Sequence, residues 1–176
     1  TPTDPRQVLA AEQAHLVTSR AALRRMREQA EALFDTGEGV AGDSIGAHAL
    51  GGALARRVAE LADHPDTPLF FGRLTFRPDA GEHAGHIQYL GRRHVTDTSG
   101  EPLVLDWRAP LSQAFYRTSP TEPWGVAVRR RFGYAGGELT SYEDEDLRDG
   151  PVEPSRILAE EIERPRVGPM RDIVAT

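Results

Sequence analysis

Three consecutive arginines, Arg129, Arg130 and Arg131, form the densest basic run of the chain. On an extended strand, Arg129 and Arg131 share one face and Arg130 takes the other. Guanidinium groups bind phosphates well, so this run could contact nucleic acid. It could equally pair with the acidic run at 143–146, which follows the next predicted strand. Because the chain carries a net charge of −6, we favour intramolecular pairing over nucleic-acid contact.

A second candidate is the run Asp106-Trp107-Arg108-Ala109-Pro110, at the end of a predicted strand. Trp107 offers a large apolar anchor with one N–H donor. Arg108 can pair with Asp106 or reach beyond the sheet. No histidine or nucleophile accompanies these residues in sequence, so we predict a structural or docking role and no catalytic one.

Missing residue types exclude several chemistries. The 176-residue chain has no cysteine, no lysine and no asparagine, so its 21 basic residues are all arginine. A complete Walker A loop, Schiff-base chemistry and cysteine-ligated metal sites therefore cannot occur within it. The H-E-x-x-H motif is also absent. The spacings G-x-G-x-x-G (37–42) and G-x-S-x-G (42–46) each occur once, but neither follows a predicted strand, as a dinucleotide-binding loop or a nucleophile elbow requires. The sequence gives no argument for independent catalysis.

Metal binding has weak support in the sequence. His83 and His86 have the spacing H-x-x-H, but no clear third ligand accompanies them. The acidic run at 143–146 lacks the spacing of an EF-hand loop. We interpret that run as a solvated turn and predict no metal site.

The first third of the chain predicts two helices. Apolar residues recur every seven positions over 5–35, with a second column three residues further on: Leu9, Leu16, Leu23 and Ala30, then Met26 and Leu33. This narrow seam is more typical of a two-helix coiled coil than of a helix in a large core. Glycines at 37–42 interrupt the pattern, and a second helix is predicted over 45–63. Together they predict an antiparallel helical hairpin whose tip is acidic, with Asp35, Glu38 and Asp43.

The pattern changes to strands after residue 69. Phe70, Gly72, Leu74 and Phe76 alternate along one face of a predicted strand. Further strands are predicted over 86–95, 102–107, 124–134 and 138–142, with turns at 97–100 and 135–137. An acidic linker from 143 and a short helix at 156–163 follow. The predicted fold class is α+β, with a small antiparallel sheet or partly open barrel. We divide it into a hairpin (1–64), a β region (65–150) and a linker with the short helix (151–176).

Several short motifs occur in an order that resembles the N-terminal part of the HelD branch of UvrD/Rep-like superfamily 1 helicases, in its actinobacterial form. They are Phe71-Gly72-Arg73-Leu74, Tyr89-Leu90-Gly91-Arg92-Arg93, Asp106-Trp107-Arg108-Ala109-Pro110, Phe115-Tyr116, Arg129-Arg130-Arg131-Phe132 and Glu160-Glu161-Ile162. The resemblance implies a longer parent in which the segment like residues 170–175 leads into an adenine-recognition motif and a Walker A loop. ATP and magnesium would bind there, and no cofactor is expected in this fragment.

The resemblance also implies a partner and a location. Members of this branch are ATP-hydrolysing proteins that bind bacterial RNA polymerase and recycle it, with the N-terminal hairpin in its secondary channel. The acidic tip at Asp35, Glu38 and Asp43 would then contact the polymerase, and Trp107 and Arg108 would hold the junction with the first motor domain. We expect a cytoplasmic protein, because no signal peptide or membrane span is evident.

Two alternatives remain open from the sequence. The chain could be an accessory domain of a DNA helicase that contacts DNA through Arg129, Arg130 and Arg131. It could also be a free-standing regulator or scaffold without a motor. A Walker A loop encoded beyond residue 176 would exclude the second alternative.

Overall fold

A computed structural model describes residues 3–40, 44–119 and 124–148. Helix α1 spans Pro5–Val40, α2 spans Ser44–Glu60, and the short α3 spans Gln113–Arg117. Within these described ranges there are also six strands: β1 (Phe70–Phe76), β2 (Ile87–Gly91), β3 (Val95–Thr96), β4 (Pro102–Asp106), β5 (Val126–Ala135) and β6 (Glu138–Asp146). The fold class is α+β, as predicted.

All six strands form one open sheet in the order β3-β4-β2-β1-β5-β6. Neighbouring strands are antiparallel except β2 and β4, which run parallel. The predicted turns at 97–100 and 135–137 connect β3 to β4 and β5 to β6. In β1, Phe70, Gly72, Leu74 and Phe76 are buried and alternate with partly exposed residues, as their spacing predicts.

The first face of the sheet is covered by α1. Leu16 and Leu23 of this helix join a buried cluster with Phe70 of β1 and Phe132 of β5. Leu61, which follows α2, belongs to the same cluster. The heptad column of α1 therefore packs in a core between the helix and the sheet. The narrowness of this column had predicted a coiled-coil partner instead. The sheet supplies the apolar surface that a second helix would supply in a coiled coil.

The second face of the sheet has a smaller cover. The short α3 and the 3₁₀ turn before it, Pro110–Ser112, pack over a separate buried cluster. Gly72 of β1 lies directly beneath the Phe115 ring, where a β-carbon would overlap the ring. No helix or strand was predicted over 110–117. The predicted short helix at 156–163 lies outside the described residues.

Both helices of the first third depart from their predicted bounds. Helix α1 continues to Val40, through Gly37 and Gly39, whereas the pattern ended it near residue 35. Each glycine costs a helix about 1 kcal/mol relative to alanine, but extending an existing helix adds one hydrogen bond per residue. Helix α2 ends at Glu60, about one turn earlier than predicted.

The predicted strand at 86–95 is two strands. Strand β2 ends at Gly91, which pairs with the first residue of β1 and with Asp106, the last residue of β4. Because β1 and β4 offer β2 no pairing residue beyond Gly91, the chain turns there. It then forms β3 at the edge of the sheet, beside β4. A β-carbon at Gly91 would overlap the carbonyl oxygen of Leu69, so the turn requires glycine.

Strand β6 continues through the acidic run that the sequence analysis placed in a linker and interpreted as a solvated turn. Across the ladder, Asp144 faces Arg130 and Glu145 faces Arg129. Opposite charges on paired strands stabilise the pairing, which explains why the strand extends to Asp146. The interpretation of 143–146 as a solvated turn is therefore wrong.

Candidate functional site

A buried cluster of charged side chains joins α1 to the sheet. The side chain of Glu12 in α1 is only 2% exposed, and both of its oxygens are engaged. One oxygen accepts hydrogen bonds from Arg73 and, at 2.5 Å, from Arg130. The other accepts the hydroxyl of Tyr89 at 2.6 Å. Glu12 thus connects the helix to β1, β2 and β5 at one point.

The guanidinium of Arg130 is held on three sides. Besides Glu12, it donates two hydrogen bonds to Asp144, at 2.6 and 2.8 Å. It also lies 4.5 Å from the centre of the Tyr142 ring, within cation–π range. Burial disfavours the charged form, but the hydrogen bonds and charge of Asp144, then of Glu12, outweigh it and raise the pKa of Arg130. The cluster is a closed ion network, with two arginines matched by two carboxylates.

His15 and Tyr89 extend this cluster along α1. Their rings are stacked with centres 3.6 Å apart, and the His15 Nε2 lies 2.9 Å from the Leu103 carbonyl oxygen. Since that oxygen only accepts, Nε2 carries the proton. Burial lowers the pKa of His15. Burial, followed by the hydrogen bond to Glu12, raises the pKa of Tyr89. Both side chains are therefore neutral at pH 7.

The other face of β5 carries Arg129 and Arg131, so the predicted alternation of the three arginines is confirmed. Arg129 donates to Glu145 at 2.8 and 2.5 Å and to the carbonyls of Phe115 and Thr118 at 2.7 and 2.9 Å. Arg131 shares Glu145 at 3.3 Å. The predicted pairing with 143–146 is confirmed. Residue Arg129 is 7% exposed, so it presents almost no surface to a nucleic acid.

Asp106, Trp107 and Arg108 form a compact turn after β4. Asp106 accepts the Arg108 backbone N–H at 2.8 Å and two guanidinium hydrogen bonds at 3.0 and 2.7 Å. Burial raises the pKa of Asp106, but hydrogen bonds from Arg108 outweigh that effect and lower it overall. The backbone N–H of Trp107 donates to the Gly91 carbonyl at 2.8 Å, and the Trp107 side chain is half-buried. Asp106 thus orients Arg108, whose side chain is 64% exposed.

The three acidic residues predicted at the hairpin tip occupy different positions. Asp35 is exposed on α1, and Glu38 lies in the last turn of that helix. Asp43 lies outside the described residues. The described part of α2 lies against α1: Arg20 pairs with Asp63, just beyond α2, at 2.5 Å.

Between α1 and α2 there is an open groove with a volume of about 330 Å³. It is lined by Glu31, Phe34 and Asp35 from α1 and by Ala55 and Val58 from α2. Among the described residues, no three histidine, aspartate or glutamate side chains are arranged to hold a metal ion. In the same ranges, no helix is both long and apolar enough to cross a bilayer.

Glu12 is a functional-site residue that was not predicted, although its position in the sequence carries a signal. Glu12 and Ser19 occupy the same heptad column as Met26 and Leu33, so two polar residues stand where apolar ones were expected. In the structure Glu12 and Ser19 are buried, while Leu33 is 60% exposed. The polar residue Glu12 in an apolar column therefore marked the point where α1 meets the charged residues of the sheet.

Comparison with known families identifies the class of this domain. A family model described as "DNA helicase IV HelD, N-terminal domain" matches residues 9–156, which is most of the chain. The match includes α1 from Leu9 onward, the whole sheet and both charged clusters. The chain therefore belongs to the HelD N-terminal domain family and is a helicase-associated domain. No curated protein matches it.

Proposed function

We propose that this domain is the non-catalytic N-terminal region of a HelD-like ATPase, where its paired helices contact RNA polymerase and its sheet braces the first motor domain. The observation that carries the proposal is that α1 is fixed to the sheet over its first half and continues beyond that attachment beside α2. Membership of the HelD family supports the choice of partner.

Side-chain contacts with the sheet fix the first half of α1. Side chains of α1 bond to the sheet from Glu12 to Arg25, which donates to the Thr96 carbonyl at 2.8 Å. From Met26 to Val40 the helix continues for about 20 Å at 1.5 Å per residue. Because buried ion pairs require exact geometry, the Glu12 cluster sets the direction of this part of the helix.

The bracing role concerns the turn after β4. Arg108 is held by Asp106 through both side-chain oxygens, and its remaining N–H groups face solvent. A fixed guanidinium loses little conformational entropy when it binds a carboxylate. Trp107 places a half-buried aromatic surface beside it. Together they offer a small rigid contact for a following domain.

ATP and magnesium would bind in the motor of the parent protein. This chain has no lysine for a Walker A loop. Its own contribution is therefore mechanical: to position the helices and to support the motor.

A pull-down tests the polymerase contact. The 176-residue chain is mixed with bacterial core RNA polymerase and compared with a variant that carries Asp35→Asn, Glu38→Gln and Asp43→Asn. We expect the native chain to bind and the triple variant to lose most binding, since it removes the acidic charge of the predicted tip. Glu28→Gln removes an exposed acid elsewhere on α1 and should bind normally. Failure of the native chain and of the full-length protein to bind would exclude the proposal.

A further inference from the structure

A small cleft lies where the loop after α2 meets the turn after β2. Glycine at position 91 allows these two segments to approach closely, because a β-carbon there would overlap the Leu69 carbonyl oxygen. The residues that line the cleft all belong to the described ranges. Its polar lining comes from both segments: Asp63, His64 and Thr67 from the loop, and Arg92 and Arg93 from the turn.

The size of the cleft limits what can enter it. Its inner volume is about 20 Å³. One water molecule needs about 10–15 Å³ of such space, so the cleft admits a single polar atom, such as one oxygen of an anion. A nucleobase or another ring is too large to enter. A ligand therefore reaches the lining residues through one small group.

Arginines concentrate positive charge around this cleft. Arg20 of α1 donates to Asp63 at 2.5 Å and to the Thr67 carbonyl oxygen at 3.3 Å. Arg93 donates to the Ala62 carbonyl oxygen. Carbonyl oxygens carry no net charge, so Asp63 balances only one of these two arginines. Among the described residues, Asp63 is the only acid that lines the cleft.

The arginines also affect one another. Burial lowers the pKa of Arg93, the Asp63 carboxylate raises it, and the positive charges of Arg92 and Arg20 lower it again. Like charges that are close together disfavour the charged form of each group. An anion in the cleft would relieve this repulsion and favour the charged form of Arg93.

We propose that this cleft binds a phosphate group, with one phosphate oxygen inside it and the guanidinium groups of Arg92 and Arg93 around the other oxygens. A phosphate monoester carries nearly two negative charges at pH 7 and has three acceptor oxygens, whereas a carboxylate carries one charge. Guanidinium groups hold phosphate through paired hydrogen bonds. Thr67 adds a hydroxyl donor to the same lining.

The ligand is a small phosphorylated anion, either an inorganic phosphate or the phosphate end of a nucleotide. The chain has a net charge of −6, which repels anions in general, so binding at one site requires a local cluster of positive charge. The site does not involve RNA polymerase, and the failure of either proposal leaves the other intact.

Inorganic pyrophosphate is the first probe. We expect isothermal titration calorimetry of the 176-residue chain at low salt to show saturable binding at a single site. The Nε–H signals of Arg92 and Arg93 in NMR spectra should shift during the same titration. Absence of saturable heat, or of any shift in these two signals, would overturn the proposal.

Removal of one arginine tests the location. Arg92→Gln should weaken pyrophosphate binding about tenfold or more, the loss expected for a hydrogen bond to a charged group. Arg77→Gln is the matched control, because it makes the same change in net charge beyond the opposite end of β1 and should bind like the native chain. Equal affinities of the three chains, or equal losses in both variants, would contradict the proposal.

Thr67→Val keeps the test decisive if Arg92→Gln does not fold. Valine has nearly the shape of threonine but replaces the hydroxyl group with a methyl group. We expect pyrophosphate binding to weaken several-fold while the melting temperature stays close to the native value. Native affinity in this variant would exclude the cleft as the place of binding.

ADP distinguishes the two sources of the phosphate group. Equal affinities for ADP and pyrophosphate would mean that only the phosphate end is recognised, and tighter binding of ADP would assign a nucleotide as the ligand. Binding of ADP without binding of pyrophosphate would mean that the base or the sugar is recognised, and would refute the proposal.

Discussion

Glu12 is the residue on which the attachment of α1 depends most. Glu12→Gln keeps its size but removes the charge opposite Arg73 and leaves Arg130 with Asp144 alone. Removing one partner of a buried pair costs about 3–5 kcal/mol, because the other charge stays buried without compensation. We expect the free energy of unfolding to fall by an amount at the lower end of this range. Urea denaturation monitored by circular dichroism measures it.

The matched control for Glu12→Gln lies on the same helix. Glu28→Gln makes the same chemical change at an exposed position and should alter the unfolding free energy by less than about 0.5 kcal/mol. Equal effects of the two substitutions would mean that Glu12 is not buried among arginines in solution.

His15 links stability to pH. Burial lowers its folded pKa below the ordinary value of 6.5, whereas the unfolded chain has the ordinary value. The stability that neutral His15 contributes to the fold is therefore complete above about pH 6.5. It is lost as the pH falls, because the unfolded state then binds a proton that the folded state does not. The negative charge of Glu12 raises the pKa of His15, and the positive charge of Arg73 lowers it further.

We expect His15→Gln to reduce the fall in unfolding free energy between pH 7.5 and pH 5.5, measured by urea denaturation. Glutamine can still donate to the Leu103 carbonyl. His86→Gln replaces an exposed histidine and should keep the native pH profile. Identical profiles for the native chain and His15→Gln would contradict the assignment.

The sequence predicted the arginine face of the site better than its glutamate. The alternation of Arg129, Arg130 and Arg131 follows from strand geometry alone, and their acidic partners stand nearby in the sequence. Glu12 lies 118 positions from Arg130, and a helical heptad pattern carries no information about which sheet residue it meets. Only its polar character within an apolar column marked it.

At the scale of elements, the turn between β5 and β6 locks the sheet to the loop after α2. Gly137 has φ +83°, and a β-carbon there would overlap the carbonyl oxygen of Pro65. We expect Gly137→Ala to lower the unfolding free energy by about 2–4 kcal/mol, from the backbone conformation and the overlap together.

Its neighbour in the turn is the control. Gly136 has φ +58° but open space around it, so Gly136→Ala should cost only about 1 kcal/mol. Thermal or urea unfolding of both variants gives the comparison. A smaller loss for Gly137→Ala than for Gly136→Ala would contradict the contact with Pro65.

Elements with a clear periodicity of apolar residues could be predicted from the sequence. Elements whose ends depend on the strands they pair with could not. Strand β1 has alternating buried residues that appear directly in its sequence. The break after Gly91 depends on where β1 and β4 end, and the length of β6 depends on arginines in β5. These are tertiary effects that override local propensity.

At the scale of the whole molecule, the predicted boundary between 64 and 65 can be tested by truncation. Phe70, Val95, Val104 and Phe132 are each at most 2% exposed because α1 covers them. Residues 65–148 expressed alone would expose this apolar face, so we expect no cooperative unfolding transition. A sharp transition of the shortened chain in differential scanning calorimetry would instead establish an independent β domain.

DNA binding by the three arginines is one of the two alternatives left open for the whole chain. Its net charge of −6 and the pairing of Arg129 with Glu145 both oppose it. We expect no measurable binding of duplex DNA at about 150 mM salt in fluorescence anisotropy. Binding that weakens in Arg129→Ala without a change in melting temperature would contradict this expectation.

The distance along the chain between Glu12 and its partners has a consequence for biosynthesis. The helix that carries Glu12 leaves the ribosome first, whereas Arg130 and Asp144 emerge more than a hundred residues later. Contacts of such long range form only after the intervening chain is available. The contacts of Glu12 therefore form in stages as the chain emerges. A nascent chain interrupted before residue 130 can pair Glu12 with Arg73 and Tyr89, whereas the bond to Arg130 and its link to Asp144 form only when β5 and β6 are complete.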